Sequence, residues 1–453
     1  MTTPASPPPP RAPRRALPLW LWPALIVFFG LLGVGVALLL TNIQQRHDEA
    51  AQPPAQFVAV KEFETDPAVW GKNFPHQYNS FMKTKEDSGR TPYAGSTPFD
   101  KLAQNPFRHT AWAGYPFDAE YNEERGHYWS LDDQKFIKRV KDFDQPGTCA
   151  NCHAGDVPRL IAEMGWDKMN QTPYKELEKN LHSAVSCGDC HSNKDMSLTI
   201  TRPAFVTAMA ARGFDVKEAT HQQMRTYVCA QCHVEYYFEK DTKALVFPWS
   251  ESKNLEAGIT VEDMENYYAK DGHTDWEHKI TGGRMIKMQH PDYETYSTGI
   301  HAKNGVACAD CHMPYTREGA QKVSDHWVRS PLKNINNACQ TCHKVPEAEL
   351  RDRVVTIQNR TNDIKMSAEA AITDAVKAIK AAKDAGATKA QLDQAYTLHR
   401  RSQLRWDYVD AESSMGFHSP QEATRTLGHS ADLARQAQIE ATRVLASLKT
   451  PTQ

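Results

Sequence analysis

A mainly α fold with few short strands and long C-terminal helices is what the 453-residue sequence predicts, on three observations. Beyond Pro346, apolar residues recur at three- and four-residue steps, the stripe of an amphipathic helix. From about 61 to 345 the chain is instead dense in Gly, Pro, Asn, Asp and aromatic residues, with only short helical stretches. All ten cysteines fall in that middle region, inside one repeated five-residue pattern.

The elements follow in order. Residues 1–15 form a Pro- and Arg-rich leader, with Pro7 to Pro10 followed by Arg11, Arg14 and Arg15. Ala16 to Leu40 is a 25-residue apolar stretch. It exceeds the roughly 7–15 residues of a cleavable signal core and meets the roughly 20 that span a bilayer. The segment 16–41 therefore reads as a transmembrane signal-anchor, and the basic residues before it put the leader in the cytoplasm. The small-residue triplet Gly35-Val36-Ala37 keeps a cleaved signal peptide open as the alternative. Residues 42–60, with Gln44, Gln45, Pro53 and Pro54, read as a polar linker.

In 61–345 the cysteine pattern is C-x-x-C-H, at Cys149/Cys152/His153, Cys187/Cys190/His191, Cys229/Cys232/His233, Cys308/Cys311/His312 and Cys339/Cys342/His343. This is the attachment signature of c-type haem. Two thiols add to the haem vinyl groups and the adjacent His becomes an iron ligand. Zinc ribbons and redox dithiols share C-x-x-C but do not require the His. Here it follows every pair, and no cysteine is left over. The fold expectation sharpens to a multihaem cytochrome c with a haem-packed core. Attachment of such haems is completed outside a bacterial inner membrane, so the periplasmic side is the expected location. The motifs start at intervals of 38, 42, 79 and 31 residues, and the long third interval holds Trp249, Trp276, Met285, Met288 and His290.

Residues 346–453 carry three helical runs. The first includes Leu350, Val354, Ile357, Ile364 and Ala375 and is ended by Gly386; the others cover about 389–414 and 420–448. They read as a bundle capping the haem domain or as a dimer interface, since Ala-rich stripes permit close helix approach. Lys plus Arg number 53 against 55 Asp plus Glu, a formal charge of −2. That balance excludes binding of nucleic acid through bulk positive charge.

Of 19 histidines, 14 lie outside the five motifs, so counting alone does not reveal whether one haem keeps an open position. Longer motifs say more. Val228 to Phe238, which reads V-C-A-Q-C-H-V-E-Y-Y-F, resembles the third haem motif of the ammonia-forming cytochrome c nitrite reductases. Gln289 to Thr295, Gly299-Ile300-His301 and Cys308 to Pro314 resemble that family's fourth-haem region. Thr110 to Tyr115 and Arg125-Gly126-His127 match as well, and the resemblance runs from about 60 to 448.

The resemblance implies that the haem at Cys149 and Cys152 is catalytic. It implies His127, His326, His418 and His301 as distal ligands of the third, second, fourth and fifth haems. Arg139, Tyr236 and His290 would line the pocket over the open iron and receive nitrite, with His290 protonated. A calcium ion would be held by the Glu235 carboxylate, the Tyr236 and Lys287 carbonyls and the Gln289 amide oxygen, all hard donors. Electrons would come from a membrane quinol dehydrogenase or a cytochrome, and the chain would pair as a homodimer. Most members carry C-x-x-C-K at the catalytic haem; here the last residue is His153. The alternative to nitrite reduction is a non-catalytic, membrane-anchored electron-transfer cytochrome, and hydroxylamine or sulfite are alternative substrates.

Overall fold

The computed structural model describes residues 18–51, 57–253 and 258–449; the leader therefore lies outside the described residues, apart from which the chain divides into two units. One unit comprises Met1–Ala55 with Arg317–Lys322, the other Gln56–Thr316 with Val323–Gln453.

In the first unit a helix runs over Leu21–Ala51. Its part Leu21–Asp48 is long and apolar enough to cross a membrane, with mean hydropathy 2.6. The helix outlasts the apolar stretch by eleven residues, so the expected linker begins as helix. The residues there are no helix breakers. Side chains four apart also support it, as Arg46 donates to Asn42 and Gln44 to Asp48, both at 3.0 Å.

In the second unit, the helices between Pro67 and Ala338 are short, and the longest described is Val261–Asp271. Proline opens several of them (Pro67, Pro75, Pro203), where its missing N–H costs nothing. Among the described residues, strands appear only as two-stranded pieces. β1 (Tyr237–Phe238) pairs antiparallel with β2 (Leu245–Val246), β3 (Trp276–Glu277) with β4 (Arg284–Met285), and β5 is Tyr315–Glu318 and β6 Gln321–Ser324. The mainly α fold with few short strands is as the sequence predicts.

Haem was expected to stand in for side chains in the core, yet the long third interval builds a core of its own. Trp249, Trp276, Met285 and Met288 are buried together with Trp112, Phe205, Trp406 and Tyr408. Edge-to-face contacts such as Trp112–Tyr121 (ring centroids 5.1 Å apart) and Phe107–Trp406 (4.9 Å) fill it.

The C-terminal helices are Glu347–Asp384, Lys389–Asp410 and Pro420–Lys449. Gly386, at φ +92°, makes the left-handed turn after the first, and Thr388 caps the second reciprocally with Gln391. Ala375, Ala382, Ala434, Ala437 and Ala441 are fully buried within the chain. The small-residue stripes thus serve packing between these helices. Ion pairs fasten the bundle to the rest of the unit: Asp410 takes Arg108 at 2.8 Å and Asp407 takes Lys287 at 2.9 Å, while Lys365 of the bundle also reaches Asp410 at 2.7 Å.

Candidate functional site

Each C-x-x-C-H motif occupies one tight turn. In the second, third and fifth motifs the His backbone N–H donates to the carbonyl of the first Cys at 2.9 Å. The first motif differs: Gly147–Cys152 is a 3₁₀ turn, and His153 N–H donates to Ala150 at 3.1 Å. Gly147 is required there, because a Cβ would come within 2.2 Å of the Met169 carbonyl. None of the ten cysteines is paired in a disulfide.

A cavity of ≈ 1570 Å³ is lined by cysteines of all five motifs and by their histidines, together with His127, His301, His326 and His418. Ring centroids are 6.2 Å apart for His191–His326 and 6.3 Å for both His301–His343 and His312–His418. An iron between two imidazoles, with metal–nitrogen bonds of about 2 Å, sets the ring centroids roughly 6 Å apart. The cavity and these pairs fit covalently held bis-imidazole haems. His127 faces His233, and burial together with that neighbour pushes the His127 imidazole down to about 4.

The motifs do not follow one another in space as they do in sequence. Arg202 links the first motif to the third: its guanidinium donates to the Asn151 carbonyl and its backbone N–H to the Gln231 side chain at 3.2 Å. Arg202, wholly buried, braces this junction: it donates to the Ala154 carbonyl at 3.1 Å and to Asp189 at 2.7 Å.

Around His153 the surroundings change. A second cavity, of ≈ 970 Å³, brings Cys149 and His153 together with Arg139, Tyr236, Gln289, His290, Tyr115 and Glu124. His153 turns Nδ1 toward the Ser130 carbonyl at 3.1 Å, leaving Nε2 for a metal. Arg139 sits on the single turn Lys138–Lys141 with its guanidinium 3.7 Å from the Phe117 ring centroid. Burial pushes the His290 imidazole down to about 4 although Glu124 and Asp292 oppose it. That direction disfavours the protonated imidazole expected of His290; Arg139, always ionised, supplies the fixed positive charge.

Glu235 ties the segments carrying Tyr236 and His290 together. It accepts from the Gln289 backbone N–H and from the Tyr268 hydroxyl at 3.0 Å, and its own N–H donates to Glu294 at 2.9 Å. Burial pushes its carboxyl well above the usual range. The Gln289 amide lies 3.3 Å from the Lys287 carbonyl. A buried, under-compensated carboxylate beside an amide and a carbonyl fits a hard cation. The Lys287 ammonium points elsewhere, to Asp407 and the Trp112 ring.

Two further groups face this cavity, of which Tyr115 ends a matched stretch of sequence and Glu124 carries no signal of its own. Glu124 precedes the Arg125-Gly126-His127 motif and faces the cavity; burial would raise its carboxyl, but His153, His290 and Arg139 together hold it below the usual range. Tyr115 stacks on Trp276 at 4.6 Å and lines the same cavity.

The comparisons with known proteins agree with this geometry. The family model for cytochrome c552 matches residues 66–452. A cytochrome c-552 of Parabacteroides distasonis is 38% identical over 436 residues, covering 94% of this chain and 87% of its own. One from Aliarcobacter butzleri is 34% identical, covering 93% and 84%. The cytochrome c nitrite reductase of Desulfovibrio desulfuricans, whose catalytic subunit has two calcium sites, superimposes with a TM-score of 0.80 at 34% identity, covering 87% of this chain and 90% of that one. With its five haem-attachment turns and paired imidazoles, the chain belongs to the cytochrome c552 family.

Proposed function

We propose that the chain reduces nitrite to ammonium, taking up six electrons and eight protons and releasing two waters. The observation that carries this reading is the cavity joining His153 to Arg139, Tyr236 and His290, beside other motif histidines that face a second imidazole. A haem at Cys149 and Cys152 would supply electrons and a metal position for the anion. Arg139 would hold the anion's oxygens through two parallel N–H groups. Tyr236 would donate its hydroxyl, and neutral His290 would offer one N–H and one acceptor nitrogen. Phe117 beneath the guanidinium keeps Arg139 aimed.

His153 would ligate the first haem where most relatives use Lys. His127, His326, His418 and His301 would be the distal ligands of the third, second, fourth and fifth haems. Calcium would lie between the Glu235 carboxylate, the Tyr236 and Lys287 carbonyls and the Gln289 amide, bracing both pocket segments. The N-terminal helix would anchor the enzyme on the periplasmic side of the inner membrane, near a quinol dehydrogenase or cytochrome donor. A homodimer would use the outward face of the C-terminal helices, where Met366 and Ile439 are exposed.

The test is ammonium yield from nitrite with reduced viologen, beside a cyanide titration of the visible spectrum. The expected result is six electrons consumed per ammonium and one haem whose spectrum shifts. No ammonium and an unmoved spectrum would leave only the electron carrier.

A further inference from the structure

The nitrogen of an axial imidazole that does not face the metal sets how strongly the other one donates. In this chain that nitrogen usually meets a backbone carbonyl. Nδ1 lies 2.9 Å from the Met196 oxygen in His191, 2.8 Å from Ser324 in His326, 3.2 Å from Arg329 in His312 and 3.1 Å from Ser130 in His153. His233 and His418 differ. Nδ1 of His233 is 3.5 Å from Asp292 Oδ2, and Nδ1 of His418 is 3.3 Å from Glu412 Oε2.

Both acids are buried, 7% and 4% exposed, and their oxygens lie close together: ligand atoms of Asp292, Glu412 and His418 fall within 4.8 Å of one another. One loop holds them. Ser413 N–H donates to Asp292 at 2.7 Å, Ser414 N–H to Glu412 at 2.9 Å, and Gly416 N–H also to Glu412. A backbone N–H can only donate, so these bonds aim carboxyl oxygens, as acceptors, into the loop. The 3.3–3.5 Å separations are long for hydrogen bonds, so the effect is carried by charge, which acts without linear geometry in a water-poor interior.

We infer that Asp292 and Glu412 are positioning residues that lower the reduction potentials of the third and fourth haems below that of the second. The inference rests on His233 and His418 being iron ligands. A ferric haem carries one more positive charge than a ferrous one, so a carboxylate beside its imidazole favours the ferric state. The second haem has carbonyl oxygens behind both imidazoles and lacks that bias. The third motif is joined to the first through Arg202, which hydrogen-bonds Asn151 of the one and Gln231 of the other. Electrons arriving at the third haem are therefore strongly reducing where the substrate waits. Each transfer oxidises one haem by one electron and reduces its neighbour by one, with no bond or proton moved.

The test is a redox titration of the holoprotein followed by electron paramagnetic resonance, in Asp292→Asn and Glu412→Gln, with five haems confirmed by the pyridine haemochrome. Each variant is expected to keep its low-spin signals and raise one potential. The change should be on the order of tenfold in the ferric-to-ferrous ratio at fixed solution potential, the scale on which outer partners of metal ligands act. Asp292→Glu and Glu412→Asp should restore most of it. Ser413→Ala, which removes the hydroxyl 3.3 Å from Asp292 but leaves both carboxylates, controls for loop damage and should move nothing. Intact low-spin signals with unmoved potentials would overturn the inference alone, as would an equal shift in Ser413→Ala. If His418→Ala kept every low-spin signal, the ligand assignment itself would fail.

Discussion

Arg139 carries a charge that does not depend on pH. Alone in the sequence, among Lys135, Lys138 and Lys141, it would pass for a solvated surface cation. The fold turns it inward because Ile137 and Val140 pack into the core and leave the guanidinium over Phe117. Removing a donor aimed at developing negative charge typically costs about a hundredfold in turnover. Arg139→Ala is therefore expected to lower kcat/KM for nitrite by about that factor, with haem content unchanged, measured as ammonium formation. An unaltered kcat/KM would take Arg139 out of the pocket chemistry. Of the pocket, Tyr236 and His290 were legible because each lies inside a long motif, and Arg139 only through the resemblance as a whole. Glu124 was not, since an acidic pair before Arg125 looks like surface, and only the cavity gives it His153 and His290 as company.

At the scale of elements, the motifs themselves were legible and their arrangement was not. Five C-x-x-C-H turns announce themselves, but the link between the first and the third runs through Arg202 and Gln231, which join segments 13 to 51 residues apart. The Arg202–Asp189 pair is fully desolvated, and removing one partner of such a pair costs about 3–5 kcal/mol. Arg202→Met should lower holoprotein stability by about that much in thermal denaturation, and a shift under 1 kcal/mol would show that the covalent haems alone hold the junction. A second cluster joins the Val261–Asp271 helix to the C-terminal bundle. Burial would raise the Glu262 carboxyl, but Arg425 and Arg405 overrule it and hold it at about 2, against an ordinary 4.5. The unfolded chain thus takes up this proton first. The stabilisation is complete above pH 4.5 and is lost as pH falls toward 2. The melting-temperature gap between wild type and Glu262→Gln should be widest near neutrality and should narrow over that window; a constant gap would mean the charge is not responsible.

Across the whole molecule, two kinds of core coexist. The C-terminal helices read clearly in the sequence because side chains alone build their interior, as with buried Ile379, Ala382, Leu392, Ala395 and Ala441. Outside its motifs the haem-motif region was legible only as composition, because its walls enclose cavities of ≈ 970 and ≈ 1570 Å³ that no residue periodicity records. Unfilled apolar space of this size destabilises its surroundings through lost contacts. It follows that haem attachment and folding are coupled in the motif region and far less so in the bundle. In a chain with all ten motif cysteines changed to serine, hydrogen exchange should be fast over 147–343. Protection should persist where Glu347–Asp384 packs on Lys389–Asp410 and Pro420–Lys449. Equal protection in both regions would show that side chains alone fold the cavity walls; loss in both would show that the bundle stands only on the filled cavities beneath Asp407 and Asp410, whose ion pairs with Lys287 and Arg108 are its footing.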